Sequence, residues 1–202
     1  MANWWLCQPS AARGWQTTKM SHIYTKSGDD GTTGLLYGGR TSKGADLVDA
    51  LGDIDEAVSA LGVARAGCPD EPRSALILGL QRDLFVVAAD LATHPTHRDR
   101  LVRGISLVES SMAVKIEELI DALTLEQPLR PVFVVPGTSA QEAAIDLARS
   151  VVRRAERHTV QARTGGTLVT DEVLRYLNRL SDLLYVMARQ AVKGAEESAS
   201  HD

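Results

Sequence analysis

Apolar residues recur at helical spacing in five separate runs. Leu47, Ala50, Leu51, Ile54, Val58 and Leu61 mark the first, over about 45–66, and GCPDEP at 67–72 breaks it. Leu76, Leu80, Leu84 and Ala88 form one stripe of a second, over about 74–91, which THPTHRD at 93–99 interrupts. Leu107, Met112, Ile116 and Ile120 mark a third, over about 106–123. EQPLRPVFVVPGTS at 126–139 then reads as extended, because prolines stand on both sides of an apolar run and disfavour helix before them. The fourth helix opens on Ser139 with Glu142 three residues later, a capping-box pattern. It carries Ala144, Ala148, Val151, Val152 and Ala155 and should run to about Arg163, stopping at Gly165–Gly166. The fifth starts behind Thr170, with Asp171 and Glu172 where the helix dipole favours acids, and should reach about Ala195. The economical architecture is all-α, an up-and-down five-helix bundle preceded by a glycine-rich loop.

Composition narrows the class. The chain has 202 residues, enough for one domain with a core, and only 4% aromatics, with Ala, Leu and Val dominating the apolar set. The net charge of -4 offers no bulk-charge surface for nucleic acid or membrane. No stretch approaches the roughly 18 apolar residues of a membrane span. Cys7 and Cys68 have no metal-ligand spacing, and so few cysteines fit a reducing cytoplasm. Residues 1–19 hold all three tryptophans without helical period and read as an N-terminal extension, either upstream of a natural start at Met20 or a disordered terminus. Residues 20–195 form the domain, and 196–202 a frayed, flexible tail.

Three patterns carry candidate chemistry. On the fourth helix Arg149, Arg153 and Glu156 share a face, flanked by Arg154 and Arg157. Arginine forks suit phosphate; the alternative is a solvated face laced by weak i,i+4 ion pairs. On the fifth helix Asn178, Asp182, Tyr185 and Arg189 make a polar stripe beside the packing stripe of Leu177, Leu180, Leu184 and Met187. Asn and Asp are mediocre helix formers, so the stripe reads as a ligand surface or a polar network between helices. Upstream, YTKSGDDGTTG at 24–34 has glycines that permit close backbone approach to an anion, with Lys26 and Lys43 for charge. Asp29 and Asp30 would repel a bare phosphate but could cap turns, position a lysine or reach water on a phosphate-bound Mg²⁺.

Read in order, YTKSGDDGTTG, Lys43, GDIDE, FVVPG, ARSVVRRAER and YLNRLSDLLYVMAR resemble the PduO-type ATP:cob(I)alamin adenosyltransferases over about Ile23 to Lys193. The resemblance implies a homotrimer with active sites between subunits. It implies transfer of the 5′-deoxyadenosyl group from ATP to cob(I)alamin, giving adenosylcobalamin and triphosphate, with Mg²⁺ brought by ATP and no metal bound directly. Thr25, Lys26, Ser27, Gly28, Thr33, Gly34 and Lys43 match the ATP-binding N-terminal segment. Arg153, Arg154, Glu156, Arg157 and Asn178 match ATP-contacting positions on the last two helices. Asp55 and Arg149 match a salt-bridging pair across the interface, and Phe133 the aromatic residue beneath the corrin, where Asp182 also belongs to the cobalamin side. Arg153, Phe133, Asp55 and Arg149 are then the residues expected to carry catalysis. A flavoprotein reductase and an adenosylcobalamin-dependent mutase are implied partners. Without the resemblance, Phe133 reads as a strand-like core residue in VFVV.

The chain departs from the family in two places. Thr138 stands where members often have a second glycine after Pro136-Gly137, and Asp146 where they often have His. Asp146 lies three residues before Arg149 and could pair with it in competition with Asp55.

Overall fold

In the computed structural model, which describes residues 24, 26–192 and 197–199, the chain is mostly helical. The described elements are α1 (Asp46–Ala66), α2 (Glu71–Leu91), a 3-10 helix (Pro95–Arg100), α3 (Ser110–Glu126), α4 (Ala140–Thr164) and α5 (Asp171–Gln190). A small hairpin precedes them, β1 (Thr32–Gly34) paired antiparallel with β2 (Arg40–Ser42), Thr33 opposite Thr41.

Alanines set the closest helix pair. Ala50, Ala57 and Ala64 on α1, and Ala148, Ala155 and Ala162 on α4, repeat every seven residues and are all fully buried. Small side chains in register let the two helices approach closely, and the α1–α4 contact is the most extensive in the fold. Polar contacts fix its direction: Asp46 meets Gln161 and Asp53 meets Arg154, so α1 and α4 run antiparallel. Asn178 to Glu156 and Arg189 to Asp146 make α5 antiparallel to α4, while Arg179 to Glu117 and Gln190 to Leu123 make α3 parallel to α5. Gln81 to Val58 turns α2 back along α1. The direction therefore alternates from α1 to α5. Ile54, Leu61, Ile77, Leu84, Ile116, Ile145, Leu177, Leu180 and Leu184 fill the centre, each contributing about 1.5–3 kcal/mol by burial.

Several boundaries differ from the periodicity. α2 starts at Glu71 because Pro72 suits a first helical turn, where its missing N–H costs nothing. α3 starts only at Ser110, since Ser106 Oγ accepts from Val102 N at 2.9 Å and holds 102–107 in a loop. It runs on to Glu126, because nothing before Pro128 stops it. α5 ends at Gln190 rather than Ala195. The 93–99 break is largely the 3-10 helix. The hairpin is absent from an all-helical reading; threonines in both strands and positive φ at Gly31, Gly38 and Gly39 allow it. In the segment read as frayed, Glu197 O accepts from Val135 N and Ala199 N donates to Phe133 O, both at 2.9 Å. The expected N-terminal extension, 1–19, lies outside the described residues.

Candidate active site

A cleft of about 460 Å³ opens between α3, α4 and α5. Arg149 and Arg153 line it from α4, Asp182, Tyr185 and Arg179 from α5, and Glu117 from α3. Arg149, Arg153, Asp182 and Tyr185 are residues singled out in the sequence. Arg179 and Glu117 are not, although Arg179 adjoins Asn178; only the tertiary contact between α3 and α5 reveals them.

The arginine-rich helix divides its cations by direction. Arg154 turns to α1, donating from Nε to Asp53 at 3.0 Å and pairing with Glu56. Its guanidinium holds its proton more strongly than usual, chiefly through the Asp53 hydrogen bond. His158 Nδ1 lies 2.7 Å from the other Asp53 oxygen, off the line of a hydrogen bond. Arg157 donates to the Arg153 carbonyl at 3.0 Å. Arg149 donates to Asp146 at 2.6 Å and lies 5.9 Å from the Tyr185 ring. Arg179 pairs with Glu117 at 2.8 Å and donates to Asn178 at 2.6 Å, and Asn178 in turn donates to Glu156 at 3.0 Å. Arg153 alone among the cleft arginines has no carboxylate partner among the described residues.

Two of the contacts engage residues matched to the family's site within the single chain. Arg154 is engaged in joining α4 to α1, so its geometry gives no support to an ATP contact. Arg149 takes Asp146, the competitor foreseen in the sequence, rather than Asp55. Asp55 is exposed on α1 and has no ion pair among the described residues. Asp182 is exposed at the cleft and has no ion pair among the described residues.

The glycine loop holds a lysine. Lys43 Nζ donates to Gly28 O at 2.7 Å, and its backbone N–H donates to Gly31 O at 2.9 Å. A Cβ at Gly28 would fall 3.1 Å from Thr32 O and 3.2 Å from Lys43 Nζ, a tight approach that glycine relieves. Asp30 accepts from Thr32 N at 3.0 Å and Thr32 Oγ1 at 2.7 Å; these bonds hold its carboxyl below the usual range. Its role is thus a turn cap, with Arg40 3.5 Å away. Asp29 is exposed, and Lys26 adopts φ 58 with its ammonium 5.8 Å from the Tyr24 ring. Ser27 is exposed, while Thr33 and Gly34 belong to β1. Thr25 lies outside the described residues. None of the described loop residues lines the cleft; the loop leads into α1, on the other flank of α4.

Phe133 is 88% exposed, with Val132 and Val135 also exposed beside it. A core role is thereby overturned within the chain: its segment lies outside the bundle, and the prolines that keep it extended also keep it from packing as a helix.

The cobalamin adenosyltransferase family model matches residues 23–191. The chain belongs to the cobalamin adenosyltransferase family. Corrinoid adenosyltransferase from Bacillus subtilis is 40% identical over 171 residues, covering 83% of this chain and 84% of the relative. That from Mycobacterium tuberculosis H37Rv is 39% identical over 183 residues, with 85% and 89% covered. Among solved structures, a variant of the PduO-type ATP:corrinoid adenosyltransferase from Lactobacillus reuteri, complexed with cobalamin and ATP, superposes with a TM-score of 0.77 at 29% identity. It covers 89% of this chain and 100% of that one. By family, then, this chain is an enzyme of the ATP:corrinoid adenosyltransferase class.

Proposed function

We propose that this adenosyltransferase moves the 5′-deoxyadenosyl group from ATP to cob(I)alamin, with Arg153 meeting the triphosphate. Cobalt(I) attacks the ribose C5′; the cobalt–carbon bond forms as the C5′–oxygen bond breaks, and triphosphate departs. The metal is itself the nucleophile, so no general base is required. What the protein must supply is alignment and charge for the leaving group. The observation that carries this reading is the Arg153 guanidinium, unpaired among the described residues, in a cleft whose other arginines are paired.

Phe133 is proposed to sit against the lower face of the corrin, displacing the axial ligand to give a four-coordinate, more reducible cob(II)alamin. Its 88% exposure supports this, since the described residues of its own chain leave the phenyl ring on an extended segment bare. The loop leads into α1, on the flank of α4 away from the cleft, which supports a site completed by a second copy in a homotrimer. There Lys26, Ser27, Gly28, Thr33, Gly34 and Lys43 would meet ATP opposite Arg153, Glu156, Arg157 and Asn178. Asp55 of one copy would then approach Arg149 of another. Mg²⁺ would come with the triphosphate, and Asp29, exposed on the loop, is the carboxylate available to its waters. Supply of electrons by a flavoprotein reductase and delivery of product to a mutase, in the cytoplasm, complete the reading. Among the described residues no helix is long and apolar enough to cross a membrane.

Anaerobic incubation with ATP, Mg²⁺ and chemically reduced cobalamin tests it. Loss of the cob(I) absorption with stoichiometric triphosphate is expected; a cob(I) band that persists as in protein-free controls would overturn the assignment.

A further inference from the structure

Glu142 is fully buried at the start of α4. Ser139, the N-cap, already accepts from the Glu142 backbone N–H at 3.1 Å. In a capping box the acid returns to the N–H of the cap residue. Here it reaches further: Oε2 accepts from Gly137 N at 2.6 Å and Thr138 N at 3.0 Å. Its other oxygen pairs with Arg189 Nη2, itself buried on α5. The same nitrogen lies 2.5 Å from Asp146 Oδ2, and Asp146 Oδ1 accepts from Arg149 in the cleft. One unbroken polar chain therefore links the turn after VFVV to the cleft wall. Gly137 takes φ +127, a conformation that side chains rarely adopt, and so turns its N–H towards the acid. On the far side, Phe133 O and Val135 N are held by Ala199 and Glu197.

A buried ion pair is a poor source of stability, because desolvation offsets its attraction and apolar packing serves as well. What it supplies is direction. We propose that Glu142 is a positioning residue: its carboxylate fixes the 137–138 turn and, through Arg189 and Asp146, sets the Phe133 segment and Arg149 in one frame. Phe133 is exposed, so packing does not orient its backbone; the hydrogen bonds at its two flanks do. This inference rests on the corrin role proposed for Phe133.

Two measurements test it. In the wild-type protein, amide hydrogen exchange should show Gly137 and Thr138 protected; exchange at the free-peptide rate would overturn the proposal, whatever the variants do. In Glu142→Ala those amides should lose protection, and kcat for adenosyl transfer should fall on the order of a hundred-fold, as small misplacements of reacting groups can cause. The KM for ATP should hold, and the four-coordinate cob(II)alamin spectrum should weaken. Glu142→Gln keeps an acceptor oxygen and should fall between, which separates positioning from collapse of the fold. A loosened turn with unchanged kcat and spectrum, or an effect on the ATP KM alone, would overturn it. A wild-type protein that protects the amides but makes no adenosylcobalamin would instead count against the proposed reaction.

Discussion

RSVVRRAER places four arginines in nine residues, and each has a different surrounding. Arg153 lines the cleft with no carboxylate partner among the described residues; Arg154, one residue on, is turned by the helical step to α1 and Asp53. The two should therefore fail differently. Arg153→Ala should lower kcat by about 10²–10³, the cost of removing a charge-stabilising donor, with an unchanged melting temperature. Arg154→Ala should leave Asp53, 8% exposed, short of a donor, and lower stability by about 1–3 kcal/mol. Steady-state rates and thermal melts on the pair check this; equal losses of activity would sink the division of labour. The cluster and its phosphate-suited chemistry are legible in sequence. Which arginine is spent on structure is not, because Asp53 lies 101 positions away from Arg154.

Between elements, α2 is tied to α5 by Tyr176, whose hydroxyl donates to Asp83 at 3.1 Å. Burial pushes the Asp83 carboxyl up, only partly opposed by Tyr176 and Lys115. Burial and the Asp83 charge push the Tyr176 hydroxyl well above its usual range. Both shifts have the same sign for folding: where the native state holds protons that the unfolded chain has released, stability falls as pH rises. The Asp83 term acts as pH climbs from 3.8 through its raised native value, and the Tyr176 term above about 10. Tyr176→Phe should cost about 1–3 kcal/mol at neutral pH, since Asp83 loses its donor. The loss should shrink as pH falls through the raised native value of Asp83, above 3.8, because a protonated carboxyl depends less on a donor. Urea midpoints across pH would show it; a deficit that is constant with pH would contradict this account. The helices themselves are largely legible, because the apolar period of 3.6 reflects a face that must be buried. Their ends are less so: Pro72 and Ser106 act through local hydrogen bonding that apolar periodicity does not register.

At the scale of the whole molecule, the glycine loop leads into α1, and α1 and the arginine cleft lie on different flanks of α4. If a second copy completes the site, two inactive variants should rescue one another. Lys43→Ala lacks a loop cation and Arg153→Ala a cleft cation. Mixed oligomers pair an intact loop with an intact cleft, so unfolding the two variants together and refolding them should restore activity that neither has alone. Absence of any rescue despite mixed assembly would place both walls within one chain.

The sequence alone determined the helical class, the order of segments and the family, because hydrophobic period and the motifs around RRAER and NRLSD are local patterns along the chain. It also held the competition between Asp146 and Asp55 for Arg149, since three residues on a helix bring two side chains to one face. Tertiary structure decided the rest. It joined Asp146 to Arg189, carried the reach of Glu142 to the 137–138 turn, left Phe133 bare, and spent Arg154 on α1. Each of those outcomes depends on which helix faces which. That is set by the fit of the alanine seams and the buried core, not by any spacing along one element.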